Sequence, residues 1–471
     1  MGVDTAVLAH ETQFSSLLRL HRTRSGLTQR ELAGFSTVSE RAIRDLESGR
    51  VRQPRRDTVR LIAEGLRLGP RAREELRLAA QGPGAGRLFG ADFADAPPGP
   101  PTAPRALVEG HQAAAALAAA LADGAEPVVE IVGLAGVGKT RLAVEVAGLL
   151  YRQAALPVLW FAFPGAGEDE YRYPAAPDGL AELVRAGVDG LFGADRAEAR
   201  LTRAFGEAFP RVNPDPDALA GALAPDRPAL LVVDGTTRAP HADRAARLLR
   251  LLPELRILIT AEGPTGLPGT RIHTVHPLPI PEAGAGAGAG SEIDPDALAR
   301  VPAVLLFLDE VRRIHPGYTL TPDDAADVAQ ICRLLDGLPA ALRAAASWLV
   351  VYDVATLRAC LAEPDGLLGH LSGADGRWRV RERLERRVAA LAGDRARLLR
   401  ALCASDGDFD LAQAADHAGL SLAHCARVLR ELLLSGLVCP GSGRAGQNRF
   451  RVLNLARAAS QAGSRRPVMA A

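Results

Sequence analysis

The sequence predicts a multidomain protein of α and α/β architecture: all-helical at the N-terminus, a parallel sheet flanked by helices in the centre, then helical again with one small hairpin near the C-terminus. Three observations carry this. Residues 11–81 contain five short helical patterns with capping residues at their starts. Apolar, β-prone runs at 128–132, 158–161, 229–233 and 256–260 alternate with helical stretches at 141–150, 180–185, 194–209 and 241–252, the mark of a mostly parallel sheet with helices on both faces. Helical patterns at 394–404, 411–418 and 422–435 are followed by strand-like segments at 436–438 and 449–453 around a Gly-rich turn.

Composition bounds the possibilities. A chain of 471 residues holds about three or four domains. Its hydrophobic content of 48% is enough for real cores, and 47 Gly with 33 Pro imply linkers. The five cysteines are odd in number and form no C-x-x-C pair, which favours reduced thiols and a cytoplasmic location. The N-terminus lacks a signal-peptide pattern, and no apolar run reaches the ~18 residues of a membrane span. The histidines and cysteines show no metal-ligand spacing; His273 and His276 read as surface residues. Net charge is +1, yet residues 11–77 hold 15 arginines against 9 acidic residues, so a basic N-terminal module precedes an acidic remainder. Such a module suits an anionic partner.

In the N-terminal module (residues 11–81) the first helix covers 14–24. The second starts after Thr28, with Glu31 completing a capping box, and the third after Ser39. Helices over 58–68 and 70–80 follow, the last with proline at its first position. Two short helices joined by a tight turn form a helix-turn-helix. Leu27-Thr28-Gln29, Glu31-Leu32-Ala33, Ile43 and Leu46-Glu47-Ser48-Gly49 resemble the Cro/repressor-like, XRE-type DNA-binding family over about 65 residues. The resemblance implies that the third helix enters the major groove of double-stranded DNA, with Ser39, Glu40, Arg41 and Arg44 at base edges, Arg41 suiting a bidentate guanine contact. Gln29 and the arginines Arg50, Arg52, Arg55 and Arg56 would hold phosphates. One departure is Thr37, where glycine is usual, so a wider or strained turn is expected. A helical protein-interaction domain is the other reading of this module.

Residues 82–104 are rich in Gly, Pro and Ala and read as a linker. A helix over 106–121 leads to VVEIVGLAGVGKTRLAVEV, residues 128–146. Here G-x-x-x-x-G-K-[ST] follows a strand and opens a helix, the context a P-loop requires. Gly133, Gly136 and Gly138 let backbone N–H groups, with those of Val137 and Arg141, face phosphate oxygens; Lys139 would reach the β- and γ-phosphates and Thr140 would hold Mg²⁺. Lys139 is the single lysine among 56 basic residues, sitting where a compact ammonium rather than an arginine fork is needed. The run LLVVD ends at Asp234, which suits a Walker B carboxylate, a second anchor for Mg²⁺ and, if hydrolysis occurs, for water.

GLAGVGKTRLAVEVA, ALLVVDG, LRILITAEGPTGLPG, HPLPIPEA and ICRLLDGLPAALRAAASWL resemble the NB-ARC/STAND signalling NTPases, and more narrowly the bacterial transcriptional regulators of that class, over roughly residues 105–460. The resemblance implies an NTPase domain (105–282) binding ATP or ADP with Mg²⁺, a small helical domain (292–372) whose Gly337-Leu338-Pro339 segment brings Pro339 to the nucleotide, and a winged helix (373–460). Three positions depart from it: Gly235 for a second acidic or amide residue, Glu262 where an arginine is common, and Gly110-His111 for a Gly-Arg pair. Losing a phosphate-sensing arginine predicts weak or absent hydrolysis.

The Ala-Gly repeat at 283–291 reads as a flexible loop. Helices are expected over 302–312 and 322–335, and from 339 to about 351. Six arginines at 377, 379, 381, 383, 386 and 387, interrupted by Glu382 and Glu385, read as a solvated, salt-bridged face, with a second nucleic-acid surface as the other reading. The winged helix is expected to act as a latch rather than to bind DNA, on family analogy. Residues 461–471 read as a tail, and no sensor repeat is visible.

Two functions fit. One is a nucleotide-regulated transcriptional regulator, forming a homo-oligomer on repeated DNA half-sites, with no membrane partner and an unidentified effector. The other is a STAND signalling NTPase that oligomerises on a cue and recruits protein through its helical N-terminus, in defence or stress signalling.

Overall fold

A computed structural model describes residues 18–19, 21–23, 27–48, 54, 56–66, 68, 76, 99–103, 105–124, 126–163, 188, 191, 228–236, 240–282, 294–363, 366–371, 380–405, 407–441 and 448–465. The chain divides into two units, one chiefly of Met1–Ala96 and the other chiefly of the residues after it. The helices expected at 70–80, 180–185 and 194–209, most of the 82–104 linker, the Ala-Gly repeat and nearly all of the Gly-rich turn at 440–446 lie outside the described residues. Among the described residues no helix is long and apolar enough to cross a membrane.

The first unit contains α1 (Gln29–Ser36), α2 (Glu40–Glu47) and α3 (Arg56–Gly65). The Thr28 hydroxyl accepts from the Glu31 N–H while Glu31 accepts from the Thr28 N–H, the expected capping box. Leu32, Ile43, Leu46, Val59 and Ile62 close a small core. Thr37 takes φ 56°, ψ 15°. The chain therefore follows the left-handed path a glycine would take, and a β-branched residue bears the strain; the turn is tight rather than wide.

The second unit opens with α4 (His111–Ala122), starting at Gly110 (φ 96°), five residues later than the sequence pattern suggests. β1 (Val128–Val132), α5 (Lys139–Ala154), β2 (Val158–Ala162), β3 (Ala229–Thr236), α6 (Ala242–Leu251), β4 (Leu255–Ala261) and β5 (Arg271–Thr274) follow. All pairings are parallel, in the order β2-β3-β4-β1-β5. Central strands are apolar because both faces are covered, and α4 and α5 bury one of them. β5 carries no apolar run and was invisible to pattern; its RIHT side chains are exposed or half-buried at the sheet edge. There His273 is half-buried and His276 is exposed as the surface reading expects, and partial desolvation pushes both imidazoles below their ordinary range. Glu130 is the one charged residue inside β1; it is fully buried and accepts from the N–H and hydroxyl of Thr265, pinning the β4–β5 connection.

Helices α7 (Pro295–Ala299), α8 (Pro302–Ile314), α9 (Pro322–Leu334) and α10 (Pro339–Ala346) follow. The helix expected from 339 to 351 ends early: a 3-10 turn (Ser347–Val350) follows, and Asp353 caps a separate α11 (Val354–Ala362), then α12 (Gly366–Gly369). α13 (Val380–Ala389), α14 (Gly393–Cys403), α15 (Leu411–Ala418) and α16 (Leu422–Leu434) lead to an antiparallel hairpin of β6 (Val438–Pro440) and β7 (Phe450–Val452). A final α17 (Asn454–Arg465) runs through the expected boundary at 460. Its start is held by buried Asp336, which accepts from the Leu455 N–H (3.0 Å) and the Arg451 guanidinium (3.3 Å).

One core joins these helices to the P-loop: Leu134 and Val137 are buried with Phe307, Leu338, Leu399 and Leu437. At Gly436 (φ 75°) a Cβ would lie 2.7 Å from the Leu134 nitrogen. The turn from α16 into β6 thus approaches the loop backbone as closely as glycine alone allows. Gly436→Ala is expected to cost about 1–3 kcal/mol, read as a lower melting temperature and as faster protease cleavage of the C-terminal helices.

Candidate phosphate site and helix-turn-helix face

Residues 133–138 connect β1 to α5, with Gly133, Gly136 and Gly138 at φ 147°, 82° and 109°. A Cβ on Gly133 would stand 2.7 Å from the Val275 carbonyl oxygen, and one on Gly136 would stand 2.6 Å from the Ala340 Cβ. These glycines are required by close approach as well as by conformation. Lys139 is half-buried and donates to the carbonyls of Gly133 (2.9 Å) and Leu134 (3.0 Å). Burial pushes its ammonium down to about 8, against the pull of the nearby Glu262 and Asp234 carboxylates.

β4 lies between β1 and β3, and this order builds the other half of the site. Asp234, at the C-terminal end of β3, is buried. Its Oδ1 accepts from the Thr140 hydroxyl (2.9 Å) and the Thr260 hydroxyl (2.5 Å), and Thr260 in turn accepts from the Gly235 N–H (2.8 Å). Asp234 Oδ2 is buried with no hydrogen-bond partner. Burial raises this carboxyl to about 6, partly offset by the two hydroxyls and by Lys139. A buried carboxylate oxygen lacking a partner, next to a threonine hydroxyl, is the donor set a hard divalent cation takes. Thr260 was not legible as a site residue, because a threonine inside an apolar strand carries no signal until β4 is known to lie beside β3. Gly235 takes φ 79° beside a register shift in β3, so the glycine suits the backbone there.

Other expected residues are placed differently. Val137 is buried in the helical core and its N–H is turned to the Leu134 carbonyl (3.2 Å), so it anchors the loop. The Arg141 side chain reaches the Arg105 carbonyl (3.0 Å) and Glu145 (3.2 Å), leaving Nε and Nη1 buried without partners. Pro339 opens α10, and the next residue, Ala340, donates its N–H to the Gly136 carbonyl (3.1 Å), so the Gly337-Leu338-Pro339 segment abuts the loop. The arginine-rich run divides. Arg381 pairs with Glu385 (2.8 Å) as expected of a solvated face, but Arg387 is half-buried and donates to the Glu262 carbonyl (3.1 Å). A plain surface face is corrected there, because α13 packs that side against the end of β4.

On the helix-turn-helix, Ile43, Leu46 and Glu47 face inward, and Arg41 and Arg44 are exposed with Glu40 half-exposed. Arg44 pairs with Glu40 (2.7 Å), an exposed link worth about 0.3–0.5 kcal/mol that DNA could readily replace. The Ser39 hydroxyl accepts from the Ala42 N–H (3.2 Å) and caps α2. Gln29 is not free for a phosphate as expected: its amide donates to buried Glu47 (2.7 Å), which Arg22 also grips through Nε (2.6 Å) and Nη2 (3.1 Å). A buried carboxylate needs these donors more than a surface phosphate does. Arg50, Arg52 and Arg55 lie outside the described residues, and so does the side chain of Arg56.

Residues 13–76 match the family described as a helix-turn-helix domain. A putative HTH-type transcriptional regulator of Mycobacterium tuberculosis is 28% identical over 221 residues, which are 46% of this chain and 20% of that protein. An uncharacterized protein of the same organism is 30% identical over 191 residues, 40% of this chain and 38% of that one. The chain thus spans well under half the length of these relatives. Among solved structures, a Signal Transduction ATPase with Numerous Domains (STAND) protein with a tetratricopeptide repeat sensor from Pyrococcus horikoshii aligns with a TM-score of 0.28 and 14% identity, over 78% of this chain and 44% of that one. Drosophila ORC bound to DNA aligns with a TM-score of 0.27 and 12% identity, over 78% and 89%. Similarity that slight adds nothing to the geometry of the site. The chain joins a helix-turn-helix domain to a P-loop α/β domain.

Asp234 sets a pH dependence. Its carboxyl titrates at about 6 in the folded chain, above its ordinary 3.8. Between those values the folded chain keeps a proton that the unfolded chain has lost, so this group's contribution falls as pH rises through 6. Asp234→Asn removes that loss. The nucleotide-free variant is expected to be more stable than wild type at pH 7.5 by about 1–3 kcal/mol, the gap closing toward pH 4.5, as read by melting temperature.

Proposed function

We propose that the protein is a nucleotide-regulated, DNA-binding transcriptional regulator of the STAND class. The observation that carries this is the combination in one chain of a helix-turn-helix whose α2 exposes Arg41 and Arg44 with a P-loop whose Lys139 holds the loop carbonyls while the next residue, Thr140, bonds buried Asp234. The regulator named among its relatives supports the DNA half of the reading.

At the P-loop, Lys139 would hold the β- and γ-phosphates of ATP or the β-phosphate of ADP, and Thr140 and Asp234 would hold Mg²⁺, which supplies charge neutralisation between phosphate oxygens. Phosphate oxygens would displace the loop carbonyls from Lys139 and restore its full charge. The helical segment at Gly337-Leu338-Pro339 and the C-terminal three-helix unit with its hairpin, which we read as a winged helix serving as a latch, both rest on the P-loop. A change at the phosphates is thereby transmitted to them, and from them to the exposure or pairing of the helix-turn-helix modules. One such module buries too little surface for tight binding, so a homo-oligomer on repeated half-sites is part of the proposal.

A second reading, recruitment of protein through the N-terminal helices, is favoured by one feature: Phe35 on α1 is 63% exposed. Salt separates the two, because phosphate contacts make DNA affinity fall steeply with ionic strength.

Labelled ATP and ADP binding and selection from random duplex DNA test the proposal on one sample. Lys139→Ala is expected to abolish nucleotide binding. Arg41→Ala is expected to cost about 1–3 kcal/mol at a single base position while leaving nucleotide binding intact. Absence of any enriched duplex at modest salt transfers the N-terminal module to protein recruitment. With Glu262 in place of an arginine after β4, turnover is expected to be very slow; steady-state ATP hydrolysis at about 1 s⁻¹ or faster would overturn that part.

A further inference from the structure

Arg387 of α13 stands at the end of β4, the strand beside β1, which leads into the P-loop, although it lies 249 residues beyond Gly138 in sequence. Arg387 Nη2 donates to the carbonyl of Glu262, the first residue after β4, at 3.1 Å. A Cβ on the next residue, Gly263, would stand 3.1 Å from that same nitrogen, so the guanidinium lies flat against the β4 end. Its Nε is buried with no hydrogen-bond partner. Among the described residues no carboxylate oxygen stands within ion-pair distance of it, which leaves the charge facing acceptors that are carbonyls.

We propose that Arg387 binds the terminal phosphate of a nucleoside triphosphate at the P-loop, and so couples the C-terminal unit to whether that phosphate is present. The inference rests on the nucleotide reading above. Geometry argues for it. β4 pairs with β1 as far as Ala261 and Val132, so the Glu262 carbonyl that Arg387 holds lies beside the entry to the P-loop. The buried Nε without a partner is a donor that a terminal phosphate oxygen satisfies and that a diphosphate, one phosphate shorter, satisfies less fully. The orphaned Nε and the Glu262-bound Nη2 form the fork that matches phosphate oxygens in pairs. Because α13 belongs to the C-terminal unit, a ligand that takes hold of Arg387 has a differential interaction with the docked and undocked arrangements, the condition for shifting between them.

The test measures ATP and ADP affinity of the full chain by equilibrium binding of labelled nucleotides with Mg²⁺, for wild type, Lys139→Ala, Arg387→Ala, Arg387→Lys and Arg386→Ala. Arg386 is an exposed neighbour on the same helix. Arg387→Ala is expected to weaken ATP about tenfold or more while ADP shifts by less than about threefold, Arg387→Lys to recover part of the loss, and Arg386→Ala to leave both unchanged. Thermal shift adds a second readout: ATP is expected to stabilise wild type more than ADP does, and Arg387→Ala to erase the difference. Equal weakening of ATP and ADP, or retained ATP selectivity in a folded Arg387→Ala variant, overturns the inference while leaving the nucleotide reading intact. Should Arg387→Ala not fold, the charge-keeping Arg387→Lys decides by the same ATP-to-ADP ratio. Wild type that binds neither nucleotide overturns the nucleotide reading itself.

Discussion

The approach of Ala340 and Gly436 to the P-loop backbone is the constraint on which the second unit is built. Ala340 fills the space that any side chain at Gly136 would need, and its N–H ties to the Gly136 carbonyl. Gly436 meets the loop on its other flank, at Leu134. Leu134 and Val137 then bury their side chains in the core of the helices rather than in that of the sheet. The P-loop is thus shaped by two other parts of the chain as well as by its own glycines. Interiors pack too densely to deform smoothly, so a shift of the loop must be absorbed as a discrete repacking of what rests on it.

The charges around Lys139 follow the same logic. Desolvation pushes the half-buried Lys139 ammonium toward its neutral form, and Asp234 near the end of β3 and Glu262 just after β4 counter this. Asp234 is itself made reluctant to ionise by burial, with one oxygen saturated by Thr140 and Thr260 and the other empty. The unpaired oxygen of Asp234 lowers the stability of the protein alone, and a ligand that completed it would add correspondingly more.

The helix-turn-helix shows a comparable economy on a smaller scale. Its turn retains a left-handed residue although that residue is Thr37, and its interior retains a charge, Glu47, because Arg22 and Gln29 saturate it. The bidentate grip of Arg22 ties the first helix to the end of α2, and this fixes the angle at which Arg41 and Arg44 are presented. Removing one partner would leave a buried carboxylate short of donors, which is why a polar cluster can define a small helical core.

Local chemistry was enough to establish the strand–loop–helix around Lys139, the capping box at Thr28, the outward face of α2 and the apolar strands β1, β3 and β4. Each of these depends on neighbours in sequence, through φ preference, periodicity or the need of parallel strands to be apolar on both faces. Three things depended on distant pairing and had no local signature. Thr260 joined the site only because β4 runs between β1 and β3. Arg387 left the solvated face its helix pattern suggested because α13 packs on the end of β4. β5, exposed at the sheet edge, offered no apolar alternation to read. Sequence periodicity reports which face of an element is buried; which partner buries it is decided by long-range packing and strand order, and those decided how the phosphate site is completed.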